Sequence, residues 1–141
     1  MKLDARVLDS WAILAWMQNE PGASAVEALF ARSDRGTLAL HCSAINAGEV
    51  YYQLARRGRN DEAERFWTGL IRGEAPIRAE AVTIPRIKSA ARIKGRYPLA
   101  YADAFAIALA QELGCPLVTG DPEVRAPGSD GIVTVEWLGT A

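Results

Sequence analysis

The sequence predicts an α/β fold with a mostly parallel sheet. Short apolar segments suited to strands alternate along the chain with longer segments whose apolar residues recur at helical spacing. Turn and helix-capping residues separate these segments at short intervals. The chain has 141 residues, with no internal repeat, no low-complexity tract and no linker long enough to divide it. We therefore expect one domain over residues 1–141.

In the first half of the chain, helix starts are marked by small polar residues and helix ends by glycine. Ser10 and Ser43 are suited to cap the helices that follow them, and Gly58 is suited to end the second of these. Asn60 or Asp61 is suited to cap a further helix that stops near residue 73. The other predicted elements are strands at 6–9 and 37–42 and helices at 11–17, 24–32 and 44–57.

The second half is predicted to contain two helices and three strands. Pro85 lies in the first turn of a basic helix, and Pro98 is expected to open a long helix that Gly114 ends. Glycine and proline favour a loop over 121–131. The predicted elements are strands at 77–82, 117–119 and 132–135 and helices at 84–94 and 98–113.

Composition and charge exclude several classes of protein. Hydrophobic residues make up 50% and charged residues 23%, as in ordinary soluble globular proteins. The net charge of −1 provides no overall basic field for binding nucleic acid. No signal peptide is visible and the apolar runs are too short to span a bilayer, so we expect a cytoplasmic protein without membrane contact. Cys42 and Cys115 lack metal-type spacing and are interpreted as buried thiols.

Two carboxylates bracket the helix and strand at 101–121. Asp103 lies in an apolar helical segment, and no Lys or Arg occupies the three- or four-residue offsets where an ion pair forms on a helix. Asp121 follows the short strand 117–119. Neither acid has a local partner, which is typical of a functional site.

Two more acids are expected at the same edge of the sheet. Asp9 ends the first predicted strand, and Glu49 lies on the helix that follows the second, with Asn46 one turn earlier on the same face. In open parallel sheets, ligands bind beyond the carboxyl ends of the strands, where the strand order reverses. The topology therefore brings Asp9, Glu49, Asp103 and Asp121 together from four separate segments.

Clustered carboxylates predict a bound divalent cation. They repel one another, and their pKa values rise unless a cation is present. Mg²⁺ or Mn²⁺ suits such a group, and the site then suits metal-assisted hydrolysis of a phosphodiester. Ser10, Asn46 and Thr119 are candidates to orient the carboxylates, a water or a phosphate around the ion.

Each acid also has a structural interpretation. Asp9 could cap the following helix, and Glu49 could be a solvated helix residue. Asp103 could interact with its helix dipole, and Asp121 could be a turn residue before Pro122. His41, the single histidine, is interpreted as a structural residue near the end of its strand.

The segments that carry these acids resemble the PIN domain family, and specifically VapC-type toxins of bacterial toxin–antitoxin pairs. The resemblance covers nearly the whole chain, with the four segments in the family's order. They are VLDS at 7–10, NAGEV at 46–50, YPLAYADA at 97–104 and LVTGD at 117–121. Gly120 stands where the family has many residue types.

This resemblance implies a three-layer α/β/α sandwich and a Mg²⁺- or Mn²⁺-dependent endoribonuclease. Asp9 and Asp103 correspond to the most dependable metal ligands of the family, while Glu49 and Asp121 complete the site directly or through water. The resemblance also implies an RNA substrate, a homodimer and a small antitoxin partner. Trp11 and Trp16 lie five residues apart on one helix, so one of them is a candidate for a partner surface.

A basic segment without acids is the candidate surface for RNA. Positive charge next to an acidic metal site can position a phosphate backbone without reading sequence, although such residues are also found on solvated helix faces. A second basic group, at 56–59, follows the helix of Glu49. The candidate RNA contacts are Arg86, Lys88, Arg92, Lys94 and Arg96.

Three other functions are compatible with parts of the pattern. A PIN-like module could bind RNA or protein without cutting, but it has little reason to retain four repelling acids. A metal-dependent nuclease or phosphatase acting on another phosphoester would use the same ions. A phosphoacceptor domain is disfavoured because Ser10 and Trp11 follow Asp9 where adjacent acids are needed, and no lysine follows Lys94.

Overall fold

A parallel sheet forms the centre of the structure, a computed structural model that describes residues 3–139. The strand order is β3-β2-β1-β4-β5, and all four pairs of neighbours run parallel. This confirms the α/β fold with a parallel sheet. The strands are β1 (Asp4–Leu8), β2 (Leu38–Ser43), β3 (Arg78–Glu80), β4 (Leu117–Thr119) and β5 (Val135–Trp137).

Over residues 3–139, seven α-helices connect the strands. The structure also contains a 3₁₀ turn at Pro122–Val124. The helices are α1 (Ser10–Met17), α2 (Ala23–Asp34), α3 (Ala44–Arg56), α4 (Asn60–Ile71), α5 (Ile84–Arg96), α6 (Tyr101–Leu113) and α7 (Arg125–Ser129).

Two apolar cores lie on opposite faces of the sheet because successive strand residues point to opposite sides. Leu8 and Val118 pack with α1 to α4, whereas Val7 and Leu117 pack with α5 and α6. All four side chains are fully buried. The three-layer α/β/α arrangement is therefore confirmed, and the layers follow from this alternation.

The strand order reverses at β1, the central strand, which pairs with β2 on one side and with β4 on the other. Leu8 lies opposite Val118 in the β1–β4 register. The residues that follow this pair, Asp9 just after β1 and Thr119 at the end of β4, therefore lie side by side. This is the switch point at which α/β sheets bind ligands.

Three predicted helix starts are wrong. At α4 the cap position is held by Arg59 rather than by Asn60 or Asp61. Asp9, not Ser10, caps α1, because its Oδ1 accepts a hydrogen bond from the Ala12 N–H at 2.9 Å. The long helix α6 begins at Tyr101 rather than at Pro98. Leu99 N–H instead bonds the Tyr97 carbonyl at 3.0 Å, which makes a turn before the helix.

Two predictions in the last part of the chain are also wrong. The segment 121–131 contains the 3₁₀ turn and α7 rather than a plain loop, since proline is tolerated in a first helical turn. The last strand lies at Val135–Trp137 rather than at 132–135. Val133 is instead buried in the core beside α6.

Trp11 and Trp16 both pack against the core and are both partly buried. Trp16 meets Phe30 edge to face, with ring centroids 4.6 Å apart. Among the described residues, none of the helices has the length and apolar character needed to cross a membrane.

Candidate metal centre

Asp9 is held at the N-terminus of α1, next to the end of β1. Its side chain is only 1% exposed. One oxygen accepts the Ala12 N–H, and the other accepts the hydroxyl of Thr119. Burial is the main cause that raises the pKa of Asp9 to about 7, helped by the nearby charges of Asp121 and Glu49, while these two hydrogen bonds oppose the shift.

Thr119, the last residue of β4, links two of the acids. Its hydroxyl donates to Asp9, and its Oγ1 accepts the backbone N–H of Asp121 at 3.0 Å. The Asp121 carboxylate then caps the 3₁₀ turn by accepting the Glu123 N–H at 3.0 Å. One hydroxyl therefore fixes both the first and the last acid of the predicted set.

Asp103 lies in the first turn of α6 and is buried, with 6% of its surface exposed. Burial and a hydrogen bond to Glu123, together with the charges of Asp121 and Asp9, raise its pKa. The same hydrogen bond lowers the pKa of Glu123, whose other stabilising contact is the Ala100 N–H at 3.1 Å. The buried carboxyl of this pair therefore holds the proton more tightly than the exposed one.

Three carboxylates converge closely enough to hold a cation. Asp103, Asp121 and Glu123 each offer one oxygen, and these three oxygens lie within 4.8 Å of one another. Asp9 and Glu49 do not belong to this group of oxygens, although the charges of Asp121 and Glu49 both act on Asp9. The structure thus brings Asp103 and Asp121 together as predicted and adds Glu123.

Glu49 faces the same site from α3 and is held by two donors. Ser10 Oγ donates to its Oε1 at 2.7 Å, and Asn46 Nδ2 donates to the same oxygen at 3.1 Å. Asn46 Nδ2 also donates to the Ala102 carbonyl at 3.2 Å, which ties α3 to α6. With Oε1 occupied twice, Oε2 is the oxygen left for the site.

A cavity of about 390 Å³ opens over these residues. It extends from the acids along α1 and α3. Its lining includes Ser10, Trp11, Glu20, Glu49, Gln53, Arg57, Asp103, Asp121 and Glu123.

The donors present fit a hard divalent cation. All are carboxylate oxygens, the ligand type that Mg²⁺ and Mn²⁺ prefer. Burial is the main cause of the raised pKa values of Asp9 and Asp103, and the negative charges of neighbouring carboxylates add to it. Asn46 Oδ1 is buried and accepts no hydrogen bond among the described residues, which leaves an acceptor for an ordered water beside Glu49.

Glu123 was not predicted from the sequence. It lies in the segment that was predicted as a loop, so no helical periodicity indicated that its side chain points towards the site. Asp121 followed by Pro122 and a second acid is the signal that could have found it, because an Asp cap before a proline starts a helical turn. That turn directs Glu123 back towards α6, where it meets Ala100 and Asp103.

The basic segment along α5 is not uniformly placed next to the site. Arg86 binds Glu112 at 2.8 and 2.9 Å, and Glu112 is nine residues beyond Asp103 on α6, about 13 Å along the axis. Lys94 is closer, since its Nζ donates to the Leu99 carbonyl at 2.8 Å and its charge lowers the pKa of Glu123.

The remaining candidates for RNA contact are at the surface of α5. Lys88 and Arg92 are exposed. The guanidinium of Arg96 lies 5.3 Å from the ring centroid of Tyr97. His41 pairs with Glu80 at 3.0 Å on β3, outside the cavity, as expected of a structural residue.

The fold and site together define an α/β protein with an acidic pocket at the carboxyl ends of its central strands. Its sequence matches the PIN domain over residues 6–128, so the chain belongs to the PIN domain family. PIN domains are generally nucleases. Among curated proteins, none matches the sequence.

Solved toxin–antitoxin structures share this fold. A chain of VapBC2 from Rickettsia felis, bound to a DNA fragment from its promoter, is 10% identical and aligns with a TM-score of 0.70, covering 95% of this chain and 98% of its own. VapC20 of Mycobacterium tuberculosis, a toxin that cleaves the sarcin-ricin loop, is 20% identical with a TM-score of 0.68, covering 89% and 95%.

A DNA-bound VapBC from Salmonella typhimurium gives a similar result. It is 15% identical, with a TM-score of 0.68, and the alignment covers 96% of this chain and 98% of that one. At these identities the likeness concerns the fold. The fold resemblance to VapC-type toxins is therefore confirmed.

Proposed function

We propose that the protein is a Mg²⁺- or Mn²⁺-dependent endoribonuclease and the toxin of a toxin–antitoxin pair. The observation that carries the proposal is the convergence of three carboxylate oxygens within 4.8 Å at the switch point of the sheet. Two further acids, Asp9 and Glu49, adjoin this group. Membership of the PIN family supports nuclease chemistry, and the solved VapC20 structure supports RNA as the substrate class.

The chain's own residues have distinct tasks in this proposal. Asp103, Asp121 and Glu123 are the direct ligands, with Asp9 and Glu49 completing the site directly or through water. A bound Mg²⁺ or Mn²⁺ would activate a water and offset charge on the leaving oxygen. Asp9 and Asp103, whose pKa values are raised without metal, would give up their protons to hold the ion, because a cation favours their charged forms.

Three polar side chains keep the acids in position. Thr119 holds Asp9, while Ser10 and Asn46 hold Oε1 of Glu49. These contacts reduce the rearrangement of the acidic side chains that is needed when the substrate binds. The carboxylates therefore meet the ion in a geometry that is already formed.

Cleavage of purified RNA tests the proposal. Separate pools of tRNA, rRNA, mRNA and single-stranded DNA are incubated with the protein and Mg²⁺ or Mn²⁺, and parallel reactions contain EDTA. The Asp9→Asn variant, purified identically, controls for contaminating nuclease. Discrete RNA products that require both the metal and Asp9 are the expected result.

The other outcomes separate the alternatives. Cleavage of DNA but not of RNA would assign the site to another phosphoester. Absence of cleavage, with Mn²⁺ binding demonstrated by calorimetry, would also remove RNA as the substrate. Absence of both cleavage and metal binding would favour a module that binds without cutting.

A cognate antitoxin and a homodimer are the proposed partners, and the cytoplasm is the proposed place of action. An apolar cavity of about 560 Å³ between α1, α2 and α4 is the surface proposed for the antitoxin, because its lining is mostly apolar and includes large aromatic side chains. Its lining includes Trp16, Met17, Phe30, Phe66, Gly69 and Ile77.

Co-expression with the protein encoded by the adjacent gene tests the antitoxin proposal. The pair should co-purify, and RNA cleavage should be suppressed. Gly69→Arg would fill the apolar cavity without removing a core side chain, since a Cβ at Gly69 meets nothing closer than 3.9 Å. It should weaken the complex while cleavage by the free toxin persists. Light scattering of the purified chain measures whether it is a dimer.

A further inference from the structure

One face of α3 extends from the acidic group to the mouth of the cavity. Glu49 and Gln53 lie four residues apart on α3, Arg57 follows four residues later at the C-cap of the helix, and all three line the cavity. With a rise of about 1.5 Å per residue, Gln53 lies about 6 Å and Arg57 about 12 Å from Glu49 along the helix axis. Arg57 Nη2 donates to Gln53 Oε1 at 3.4 Å, so Gln53 helps to orient the guanidinium.

Arg57 carries a positive charge, whereas the other charged residues that line the cavity are acids. Among the described lining residues it is the only lysine or arginine, and five acids share the lining with it. It also forms no salt bridge with an acid in the part of the chain that the structure describes. Its positive charge is therefore available to a ligand.

The neighbouring arginines are placed differently. Arg56 lies outside the cavity lining, with its guanidinium 5.0 Å from the centroid of the Tyr52 ring. Arg59 pairs with Glu62 at 3.8 Å. Three arginines in four positions thus have three different environments, and only one of them faces the acids.

We propose that Arg57 contacts a backbone phosphate of the RNA next to the bond that is cut, and that Gln53 positions it. The inference rests on the proposed function and extends it to the substrate. A strand that brings one phosphate to the carboxylates must pass an array of negative charge. An unpaired guanidinium at the mouth of the same cavity attracts the adjoining backbone, and it does so without regard to base sequence.

Salt-dependent binding of single-stranded RNA tests this contact. Affinity is measured by filter binding at several salt concentrations, in the Asp9→Asn background so that the RNA stays intact. Removing one phosphate contact lowers the slope of log K against log salt by about 0.7 for a single strand. Arg57→Gln should show this decrease, and Arg57→Lys should retain most of the slope because it keeps the charge.

Arg56→Gln is the matched control, since it removes the same charge one position earlier. Its slope should equal that of the parent protein. In the cleaving protein, Arg57→Gln should raise KM several-fold with a smaller change in kcat. The Mn²⁺-induced rise in melting temperature should be the same for all variants, which shows that the metal site is intact.

Different experimental results would contradict this inference and the proposed function. If the parent protein binds and cleaves RNA but Arg57→Gln and Arg56→Gln have equal slopes, Arg57 is not a phosphate contact. If Arg57→Gln loses binding of polyglutamate but not of RNA, the site belongs to an acidic protein segment and the inference is overturned. If the parent protein neither binds nor cleaves RNA, the proposed function itself fails.

Discussion

The hydroxyl of Thr119 donates a hydrogen bond to Asp9, which lies 110 positions earlier in the chain. Both residues are buried, and each follows or ends one of two adjacent parallel strands. The same hydroxyl oxygen accepts the Asp121 N–H. This single side chain therefore couples the end of β1 to the turn that carries Asp121 and Glu123.

Thr119→Val should destabilise the metal-free protein by about 1–3 kcal/mol at pH 8, because it leaves one buried carboxylate oxygen of Asp9 and the backbone N–H of Asp121 without their partner. The loss should be smaller at pH 5, where Asp9 is protonated. Urea unfolding at the two pH values measures the difference. Thr119→Ser, which keeps the hydroxyl, should lose less at pH 8. Equal losses in the two variants would mean that the hydrogen bond contributes little.

The stability of the metal-free protein should decrease as pH rises from 3.8 towards about 7. Over this range the folded protein holds a proton on Asp9 that the unfolded chain has released, because burial raises its pKa to about 7 from the ordinary 3.8. The unfolded state then binds fewer protons, so the free energy of unfolding falls with a slope of up to about 1.4 kcal/mol per pH unit.

Asp9→Asn isolates this contribution, since asparagine also caps a helix and does not titrate. Urea unfolding between pH 4 and 8 in EDTA should give a shallower decrease for this variant than for the wild type. Saturating Mn²⁺ should flatten the wild-type curve near neutral pH, because the ion favours the charged carboxylates. Parallel curves for the two proteins in EDTA would contradict a raised pKa at Asp9.

Asp103→Asn should leave the metal-free melting temperature unchanged or raise it, while abolishing the rise caused by Mn²⁺. Asparagine can still donate a hydrogen bond to Glu123, as the protonated Asp103 carboxyl does, and it cannot ionise and add a charge to the repelling group. Thermal unfolding with EDTA and with Mn²⁺ measures both effects. A large metal-free drop would identify Asp103 as a structural residue instead.

Glu123→Gln should lower Mn²⁺ affinity by about tenfold or more, a typical effect of altering a metal site's surroundings. The glutamine oxygen can still accept the Ala100 N–H, so the start of α6 should be preserved. Isothermal titration calorimetry measures the affinity. Glu20→Gln is the control, because Glu20 lines the same cavity but lies outside the three-carboxylate group. If the two variants bind Mn²⁺ equally well, Glu123 is not a ligand.

Gly120→Ala should destabilise the protein by about 1–3 kcal/mol, because a Cβ there would overlap the six-membered ring of Trp11. Urea unfolding followed by tryptophan fluorescence measures the loss and the displacement of the indole. Gly95→Ala in α5 meets open space and should stabilise the helix by up to about 1 kcal/mol. A stable Gly120→Ala variant with unchanged fluorescence would show that the Trp11 ring does not pack against residue 120.

Gly120 illustrates what a linear reading of the sequence misses. In the resemblance to the PIN family, Gly120 occupies a position where many residue types occur, and its sequence neighbours do not require a glycine. Its backbone is not in a left-handed conformation, so the requirement is steric rather than conformational. Trp11 imposes it from α1, across the switch point, and that contact exists only in the folded chain.

The strand and helix pattern, the parallel sheet and the convergence of Asp103 with Asp121 were determined by the sequence itself. Period-2 and period-3.6 apolar patterns and capping residues are local signals, and parallel topology then places strand ends at one edge. Tertiary structure decided the rest: Glu123 as the third carboxylate of the cluster, the anchoring of Asp9 by Thr119 and the placement of Arg57 in a cavity lined by acids. These depend on side chains from distant segments meeting at distances of a few ångströms, which no local pattern encodes.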